Sequence, residues 1–305
     1  MAIQIGLVGL GKIASDQHVP ALQASSDFTL CAIASRNAAL EGCKNFSTIT
    51  ELISAGGVRA VSLCTPPSGR YEQARTALQA GLHVMLEKPP GATLSEVEAL
   101  HQLALRNGAT LYATWHSRMA PAVAPAKVWL ADKRIKSVRM AWREDIRKWH
   151  PGQEWILGPG GFGVFDPAIN GLSILSTILP DPLLVESGLL EYPAGRAAPI
   201  RGSLAMLSGD APVSVDLDFE AVENPEWSIA VDTPEGEVLI EDGGAKLTLN
   251  GSLVSLGEER EYPELYDRFA SLIAAGECDV DVAPLRLVAD ALLVADRREG
   301  PPFSF

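Results

Sequence analysis

The stretch that decides the fold is Ile3-Gln4-Ile5-Gly6-Leu7-Val8-Gly9-Leu10-Gly11-Lys12-Ile13-Ala14. A short apolar run leads into Gly9-x-Gly11-x-x-Ala14, and a helix-like segment follows. This pattern predicts a strand, a tight turn and a helix whose N-terminus faces an anion. Gly9 would permit the sharp turn, Gly11 would let the backbone approach a pyrophosphate, and Ala14 would let the helix pack closely on the strand. A dinucleotide site is therefore expected, with a glycine turn that binds no ligand as the alternative.

Strand-like and helix-like segments alternate from this stretch to His116. The predicted strands are Ile3–Val8, Phe28–Ala34, 60–64, His83–Leu86 and 110–114. A helix is predicted after most of them, including one at 95–107 with Ser95 as its N-cap. This alternation indicates a doubly wound parallel sheet of the Rossmann type, so residues 1–116 are predicted to form a dinucleotide-binding domain.

Strands dominate after residue 116, and several alternate apolar with polar residues. The predicted strands are 136–146, 184–192, 202–208, 212–220, 227–233, 236–240 and 246–249. Alternation is typical of an antiparallel sheet with one covered face. Residues 117–305 are therefore predicted to form an α+β domain for substrate binding and oligomerisation. A terminal helix at 283–297 is expected to pack back on the first domain, and a homo-oligomer could form through the sheet.

Composition narrows the class of protein. The chain has 305 residues and a formal net charge of −13, which disfavours nucleic acid and anionic membrane surfaces as partners. Its four cysteines form no paired motif, and its five histidines show no metal-ligand spacing, so no metal site is expected. The first apolar run is interrupted by glycines and reads as a strand, so no signal peptide is expected. These features favour a reducing, cytoplasmic location.

The end of the second strand bears on the choice of cofactor. A site selective for NAD favours Asp or Glu at this position, where the carboxylate accepts the ribose hydroxyls. Here Ser35 and Arg36 follow the strand. A hydroxyl and a guanidinium suit a 2′-phosphate, so NADP, or use of both NADP and NAD, is predicted. The alternative is a solvated arginine in a surface loop.

Three further segments carry candidate site residues. Thr65 and Pro66 follow the third strand, where a nucleotide would cross the sheet or where proline merely ends the strand. Glu87-Lys88-Pro89 ends the next buried strand and forms either part of a site or a salt bridge at its rim. The third segment is glycine-rich, begins at Gly160-Gly161 and leads to Asp166 and Asn170. They would lie one helical turn apart, with a simple helix cap as the alternative role for Asp166.

These motifs, in this order and at this spacing, resemble the Gfo/Idh/MocA family of NAD(P)-dependent sugar oxidoreductases over nearly the whole chain. Four longer stretches are similar to the branch of that family that oxidises L-arabinose and D-galactose at C1. They are Gly11-Lys12-Ile13-Ala14-x-Asp16-Gln17-His18, Met85-Leu86-Glu87-Lys88-Pro89-Pro90-Gly91-Ala92-Thr93, Ala113-Thr114-Trp115-His116-Ser117-Arg118 and Trp149-His150-Pro151-Gly152-Gln153-x-Trp155.

The resemblance implies hydride transfer from C1 of a cyclic aldose to nicotinamide C4, with a sugar lactone as product and no metal. Many family members carry a histidine where this chain has Asn170, so the role of general base moves to Asp166. Asn170 would orient the C1 hydroxyl or hold Asp166. Lys88 would position the nicotinamide ribose or a sugar hydroxyl and stabilise negative charge on the C1 oxygen.

Further residues are assigned from their place in the chain and from this resemblance. The predicted substrate-binding residues are Lys88, His116, Glu144, Trp149, His150, Trp155, Asp166 and Asn170. The predicted cofactor-binding residues are Gly9, Gly11, Lys12, Ile13, Ser35, Arg36, Thr65, Pro66, Glu87, Lys88 and His116. Packing is the competing role for Trp149 and Trp155, and a hydrogen-bonded structural role competes for His116.

Two other functions remain open from the sequence. One is a member of the same family that oxidises a different carbon of a cyclic polyol. The other is a non-catalytic regulator that senses a sugar or NAD(P) with the same fold. The presence of Lys88 and Asp166 favours an enzyme. The preferred aldose is left open, because pentose and hexose differ only at C5 and one such group contributes only about 1–3 kcal/mol of discrimination.

Overall fold

A computed structural model describes residues 2–305. The chain divides into two compact units. The first comprises the chain up to His116 together with Arg260–Val282, and the second comprises Ser117–Glu259 together with Ala283–Phe305. The first unit therefore contains the glycine turn, and the second contains Asp166 and Asn170. Across residues 2–305, no helix combines the length and apolar character needed to cross a membrane.

The first unit is built on a six-stranded sheet with the order β3-β2-β1-β4-β5-β6. The strands are β1 (Ile3–Val8), β2 (Phe28–Ala34), β3 (Lys44–Phe46), β4 (Ala60–Leu63), β5 (His83–Leu86) and β6 (Leu111–Ala113). All neighbouring pairs are parallel. This is the strand order of dinucleotide-binding folds, and the predicted doubly wound sheet is confirmed. The short polar strand β3 was not predicted, because three residues carry too little periodicity.

Five helices accompany this sheet. They are α1 (Val19–Ala24), α2 (Ile49–Ala55), α3 (Arg70–Gln79), α4 (Leu94–Asn107) and α8 (Glu261–Ala275). The turns of Ala14–His18 just before α1 have π-helical hydrogen bonding. In α4 the predicted N-cap Ser95 is wrong. Thr93 is the cap: its hydroxyl accepts from the N–H of Glu96, whose carboxylate accepts from the N–H of Ala92.

The core of the first unit lies beneath the helices that cover the sheet. Leu52 of α2, Leu63 of β4, Leu78 of α3 and Leu86 of β5 are fully buried there, with Leu111 of β6 beside them. Because β4 and β5 are apolar at almost every position, they read as strands with both faces covered. This packing brings the carboxyl ends of β1, β4 and β5 to one edge of the sheet.

The second unit contains a nine-stranded sheet with the order β14-β13-β12-β11-β7-β10-β9-β8-β15. Its strands are β7 (Ser137–Arg143), β8 (Leu183–Pro193), β9 (Arg201–Ser208), β10 (Ala211–Asp218), β11 (Glu226–Thr233), β12 (Gly236–Glu241), β13 (Lys246–Leu249), β14 (Ser252–Leu253) and β15 (Asp296–Gly300). The β10–β7 and β15–β8 pairs are parallel and the others antiparallel. The predicted, mostly antiparallel sheet is confirmed.

One face of this sheet is covered by helices of the same unit. They are α5 (Val123–Leu130), α7 (Phe165–Ile178) and α9 (Ala283–Val294), and the short α6 (Ile146–Trp149) follows β7. Helix α7 is buried along most of its length and packs on β7, β11, α5 and α9. Along β7 the side chains of Val138, Met140 and Trp142 are buried, and the residues between them, Arg139 and Ala141, are more exposed. The alternation seen in the sequence therefore corresponds to one covered face.

The end of the chain differs from the prediction. The helix expected at 283–297 ends at Val294, and Asp296–Gly300 form β15, which pairs in parallel with β8. Arg298 lies directly opposite Glu191 in this pairing, and its Nε donates to Glu191 Oε2 at 3.2 Å. Helix α9 itself packs on α7 and β8 within the second unit.

Candidate functional site

The glycine turn follows β1 directly. The N–H of Gly9 donates to the carbonyl of Ala34 at 2.9 Å, and Gly9 has a φ of +87°. A Cβ at Gly9 would lie 2.8 Å from Thr65 Cγ2, so only glycine fits this turn. A Cβ at Gly11 would meet nothing within 4 Å, so the backbone there is open to a ligand. This open cradle at the start of a helix fits the pyrophosphate of a dinucleotide.

The next two residues, Lys12 and Ile13, extend the turn into the helix. Both are exposed, and the Lys12 ammonium pairs with Asp16 one turn later. Ser35 and Arg36 follow β2, the neighbour of β1. The N–H of Ser35 donates to the carbonyl of Phe46, and Arg36 is exposed. An exposed guanidinium beside the turn fits the predicted 2′-phosphate contact, which stays a prediction.

Thr65 and Pro66 follow β4 on the other side of β1. The N–H of Cys64 donates to the carbonyl of Val8 at 2.8 Å, which holds this loop against the glycine turn. The Thr65 hydroxyl donates to Gln73 Oε1 at 2.6 Å, and Pro66 is exposed. The first unit therefore places the predicted loops of β1, β2 and β4 side by side at one sheet edge.

Glu87 and Lys88 follow β5. Lys88 is half-buried, and its peptide bond to Pro89 is cis. The Glu87 carboxylate is only 3% exposed. Its Oε1 accepts from the hydroxyl of Tyr262 at 2.8 Å and lies 3.3 Å from Nε2 of His18. The carboxylate thus serves a buried polar cluster rather than a salt bridge at the rim, while its contact with a cofactor stays a prediction.

Electrostatics within this cluster favour charged forms of His18 and Glu87. Burial by itself lowers the pKa of His18 and raises the pKa of Glu87. The neighbours outweigh burial: Cys64, Tyr266 and Glu87 raise the pKa of His18 well above its ordinary value. Conversely, His18 holds the pKa of Glu87 far below its ordinary value, with smaller contributions from His116 and Lys88. Burial and the Glu87 carboxylate also raise the pKa of Tyr262.

His116 begins a short 3₁₀ turn after β6. Its Nδ1 lies 2.6 Å from Glu261 Oε2, and its ring stacks on Tyr262 with centroids 5.4 Å apart. Glu261 and Tyr262 are the first residues of α8. The hydrogen-bonded structural role that competed for His116 is therefore present. This contact orients the ring and leaves the predicted cofactor and substrate contacts as predictions.

Asp166 lies in the first turn of α7 and is 3% exposed. The turn before it is tight, because the N–H of Gly163 donates to Ile156 and that of Val164 donates to Pro199. Gly163 has a φ of +55°, and a Cβ there would lie 2.0 Å from the carbonyl oxygen of Pro199. Glycine is therefore required at position 163. Because Val164 is the N-cap of α7 and Asp166 lies inside the helix, Asp166 is not the N-cap residue.

Two carboxylates flank the imidazole of His150 in the second unit. His150 Nε2 lies 3.6 Å from Asp166 Oδ2 and 3.8 Å from Glu144 Oε1. Glu144 follows β7, and His150 follows α6. Three residues predicted separately are therefore brought together, and the group can accept a proton and hydrogen-bond several hydroxyls.

Two tryptophans, Trp149 and Trp227, lie beside this group, and Trp227 was not predicted as a site residue. Trp227 of β11 donates its Nε1–H to Glu144 Oε2 at 2.9 Å. Its ring meets that of Trp149 edge to face, with centroids 5.7 Å apart. Nothing local marks Trp227 as a site residue, because the contact depends on the pairing of β11 with β7.

Two further predicted substrate-binding residues lie near this group in the chain, and their hydrogen bonds are to residues two or three positions away. Asn170 is half-buried on α7, one turn after Asp166, and its carbonyl accepts from the Ser173 hydroxyl at 2.7 Å. Trp155 lies in the 3₁₀ turn Glu154–Leu157, where its Nε1–H donates to Gln153 at 3.2 Å. Their substrate contacts stay predictions. Among residues 2–305, no cluster of three or more His, Cys, Asp or Glu side chains could hold a metal ion.

Comparison with known proteins identifies the family. Residues 3–114 match the family described as "Oxidoreductase family, NAD-binding Rossmann fold", Gfo/Idh/MocA. The chain is 44% identical to galactose 1-dehydrogenase of Pseudomonas fluorescens over 297 residues, which cover 97% of this chain and 96% of that protein.

Comparison with solved structures supports the same family. The crystal structure of a D-galactose-1-dehydrogenase protein from Rhizobium etli has a TM-score of 0.95 and 48% identity, and the match covers 99% of this chain and 98% of that one. A 3-ketoreductase from Actinomadura kijaniata, solved with NADP, has a TM-score of 0.85 at 18% identity, covers 99% of this chain and 100% of that one, and shares the fold. The chain is therefore a member of the Gfo/Idh/MocA family of NAD-binding oxidoreductases.

Proposed function

We propose that this enzyme is an NAD(P)-dependent aldose 1-dehydrogenase that oxidises D-galactose, L-arabinose or a close relative to the corresponding lactone. The observation that carries the proposal is the 44% identity to a galactose 1-dehydrogenase over nearly the full length of both chains. The cluster of Glu144, His150 and Asp166 with two tryptophans supports it, since sugars are bound by carboxylates and imidazoles at their hydroxyls and by aromatic rings at their apolar faces.

Asp166 is proposed as the general base. Oxidation at C1 removes a hydride from the carbon and a proton from its hydroxyl, so that a carbonyl forms. A bound nicotinamide dinucleotide supplies the hydride acceptor. Asp166 accepts the proton, and the imidazole of His150, 3.6 Å from its Oδ2, provides a neighbouring group to which that proton can pass. Asn170 orients the C1 hydroxyl or Asp166 itself.

Lys88 is proposed to stabilise negative charge on the C1 oxygen as the hydroxyl proton leaves. An ammonium group at the end of a buried strand is suited to this role, because a fixed charge acts more strongly where water is excluded. Its backbone is anchored on both sides, as β5 ends at Leu86 and Pro89 is buried. His116, which follows the neighbouring strand β6, is proposed to bind the substrate and the cofactor.

NADP is proposed as the preferred or an accepted cofactor, with NAD as the other. Ser35 and Arg36 support this choice, since a hydroxyl and an exposed guanidinium bind a 2′-phosphate, whereas no carboxylate follows β2 directly to bind the ribose hydroxyls. The preference between the two is the property most easily measured.

A matrix of initial rates tests the proposal. Purified enzyme is assayed with D-galactose, L-arabinose, D-glucose and a cyclic polyol, each with NADP and with NAD, by absorbance of the reduced cofactor. We expect turnover with galactose or arabinose and a lactone product, detected as a hydroxamate. Turnover of the polyol alone would indicate oxidation at another carbon. Tight cofactor binding without turnover of any sugar would indicate a sensor.

We also infer that the enzyme works in the cytoplasm and forms a homo-oligomer through the uncovered face of the nine-stranded sheet. Leu184 and Leu189 of β8 are exposed there, beside pairs such as Arg143–Asp216. Large apolar side chains exposed on this face favour its burial against a second subunit. Light scattering after size exclusion gives the oligomeric state, and a monomer that persists at assay concentration would contradict this part.

A further inference from the structure

Arg70 is a buried cation in the first unit that neither the motifs nor the proposed chemistry uses. It is the first residue of α3 and is 2% exposed. Its Nε donates to the carbonyl oxygen of Thr65 at 2.9 Å, and its Nη2 donates to the same oxygen. Its Nη1 donates to the carbonyl oxygens of both Glu87 and Pro89. One guanidinium therefore binds three backbone carbonyls.

The three carbonyls belong to two loops that carry candidate site residues. Glu87 and Pro89 are the residues immediately before and after Lys88, so Nη1 holds the backbone on both sides of that lysine. Thr65 belongs to the loop after β4, whose methyl group lies against the glycine turn. The planar fork of an arginine fixes the separation between its donors. Arg70 thus couples the loop after β4 to the backbone of Lys88 at a set spacing.

Helix capping does not account for this arrangement. A positive charge in the first turn of a helix is disfavoured by the helix dipole, and α3 gains nothing from a cation at that position. Burial of a guanidinium is also unfavourable unless its donors are satisfied. The hydrogen bonds from Arg70 to the two loops offset both costs, so we interpret its position by these loops rather than by the stability of α3.

We propose that Arg70 is a positioning residue for Lys88, which it holds at a fixed distance from the loop after β4. This inference rests on the proposed function of Lys88. Without the hydrogen bonds from Arg70, Lys88 is still present, but its backbone is no longer held and its ammonium group can be displaced. Displacement of a catalytic group by about 1 Å costs up to about 100-fold in rate, so the effect belongs in kcat more than in cofactor binding.

The test uses Arg70→Lys, which keeps the charge but loses the fork, and Arg70→Met, which removes the charge. Arg75→Lys is the matched control, because Arg75 lies on the same helix and pairs with Glu72 at the surface. We expect Arg70→Lys to lower kcat about 10- to 100-fold and to raise the Kd of NADPH by a smaller factor, because Thr65 and Lys88 are also predicted to contact the cofactor. The control should behave as the wild type.

A double-mutant cycle separates positioning from general destabilisation. In a Lys88→Ala background, Arg70→Lys should reduce kcat by less than about twofold, because the group it positions is already gone. The same fold-loss in both backgrounds would overturn the proposal, since it would show that Arg70 acts independently of Lys88.

Hydrogen exchange followed by mass spectrometry gives a readout that needs no turnover. Peptides that contain Thr65 and peptides that contain Lys88 should both exchange faster in Arg70→Lys and Arg70→Met than in the wild type, and not in Arg75→Lys. Unchanged exchange in the Lys88 peptides would overturn the proposal. Failure of the proposed function is seen separately, as wild-type enzyme that oxidises no aldose or as Lys88→Ala with full activity.

Discussion

Nε2 of His18 lies 3.3 Å from Oε1 of Glu87, and both side chains are almost completely buried in the first unit. The other ring nitrogen of His18 lies 2.7 Å from the hydroxyl oxygen of Tyr266, and Glu87 also accepts from Tyr262. Both ring nitrogens of His18 and Oε1 of Glu87 thus have hydrogen-bond partners, and a buried ion pair is tolerated only when its polar atoms are satisfied in this way. Glu87 directly precedes Lys88, so the ion pair also fixes the backbone next to this candidate site residue.

Removal of one member of this pair should be strongly destabilising. His18→Gln leaves the Glu87 carboxylate buried without its cationic partner, and we expect the free energy of unfolding to fall by about 3–5 kcal/mol. Urea denaturation followed by circular dichroism measures the change. His101→Gln is the matched control, since His101 is on α4 and partly exposed. Equal stability of the two variants would contradict an ion pair at this position.

The same pair predicts a pH dependence of stability. The pKa of Glu87 is lowered by folding, so its contribution is present above the unfolded value near 4.5 and is lost at lower pH. The pKa of His18 is raised by folding, so its contribution is complete below 6.5 and declines as pH rises through the raised value.

Wild-type stability should therefore fall as pH rises above 6.5, by up to about 1.4 kcal/mol per pH unit from this group, and His18→Gln should lack that part of the slope. Denaturation midpoints at a series of pH values between 5 and 9 provide the measurement. Parallel curves for the two proteins would show that His18 does not titrate with folding.

Asp166→Asn should abolish most turnover while the fold and the cofactor affinity remain. Loss of a general base costs about 100- to 10,000-fold in kcat, and an amide of the same shape preserves the packing of α7. Asp210→Asn, in the exposed turn between β9 and β10, is the control. Stopped-flow rates of cofactor reduction and NADPH fluorescence titration separate the two effects. Retained activity in Asp166→Asn would exclude this carboxylate as the base.

Arg36→Ala should weaken NADP more than NAD. A charge-assisted contact to a 2′-phosphate contributes about 1.5–3 kcal/mol, so the Kd of NADP should rise about tenfold or more while that of NAD changes little. Arg106→Ala, in the last turn of α4, is the control for a lost surface charge. Equal losses for the two cofactors would remove Arg36 from the phosphate site.

Trp227→Phe tests whether the hydrogen bond from Trp227 to Glu144 contributes to sugar binding. The variant retains an aromatic ring against Trp149 but loses the N–H that Glu144 Oε2 accepts at 2.9 Å. With the carboxylate freed to move, we expect the KM of the aldose to rise about tenfold with a smaller change in kcat. Trp129→Phe on α5 serves as the control. A KM equal to that of the wild type would show that the Trp227 hydrogen bond does not shape sugar binding.

Local patterns in the sequence predicted the parallel sheet, the glycine turn and the loops that follow β1, β2, β4 and β5. These features depend on residues close together in the chain, because the alternation of strands with helices is itself typical of a parallel sheet. The terminal helix was predicted correctly, but its end at residue 297 was wrong, because apolar periodicity carries no information about the pairing of 296–300 with the distant strand β8.

The remainder of the site depends on residues distant in sequence. His18 and Tyr266 are separated by 248 positions, and Trp227 meets Glu144 across 83. No periodicity or spacing rule links such pairs, because a contact of this kind is decided by how strands pair and helices pack. The role of Arg70 has no signal in the sequence for the same reason, since its partners are backbone carbonyls and these do not depend on residue type.

The partnership of His18 with Tyr266 has a consequence for synthesis of the chain. The N-terminal sheet and its glycine turn are complete in sequence by residue 116, yet two hydroxyls that satisfy the buried pair of His18 and Glu87 are supplied by α8. A nascent chain that ends before Tyr262 must leave this polar cluster open to water. The nucleotide-binding half of the protein therefore reaches its final state only when nearly all of the chain has left the ribosome, and a fragment that ends at His116 should not fold stably by itself.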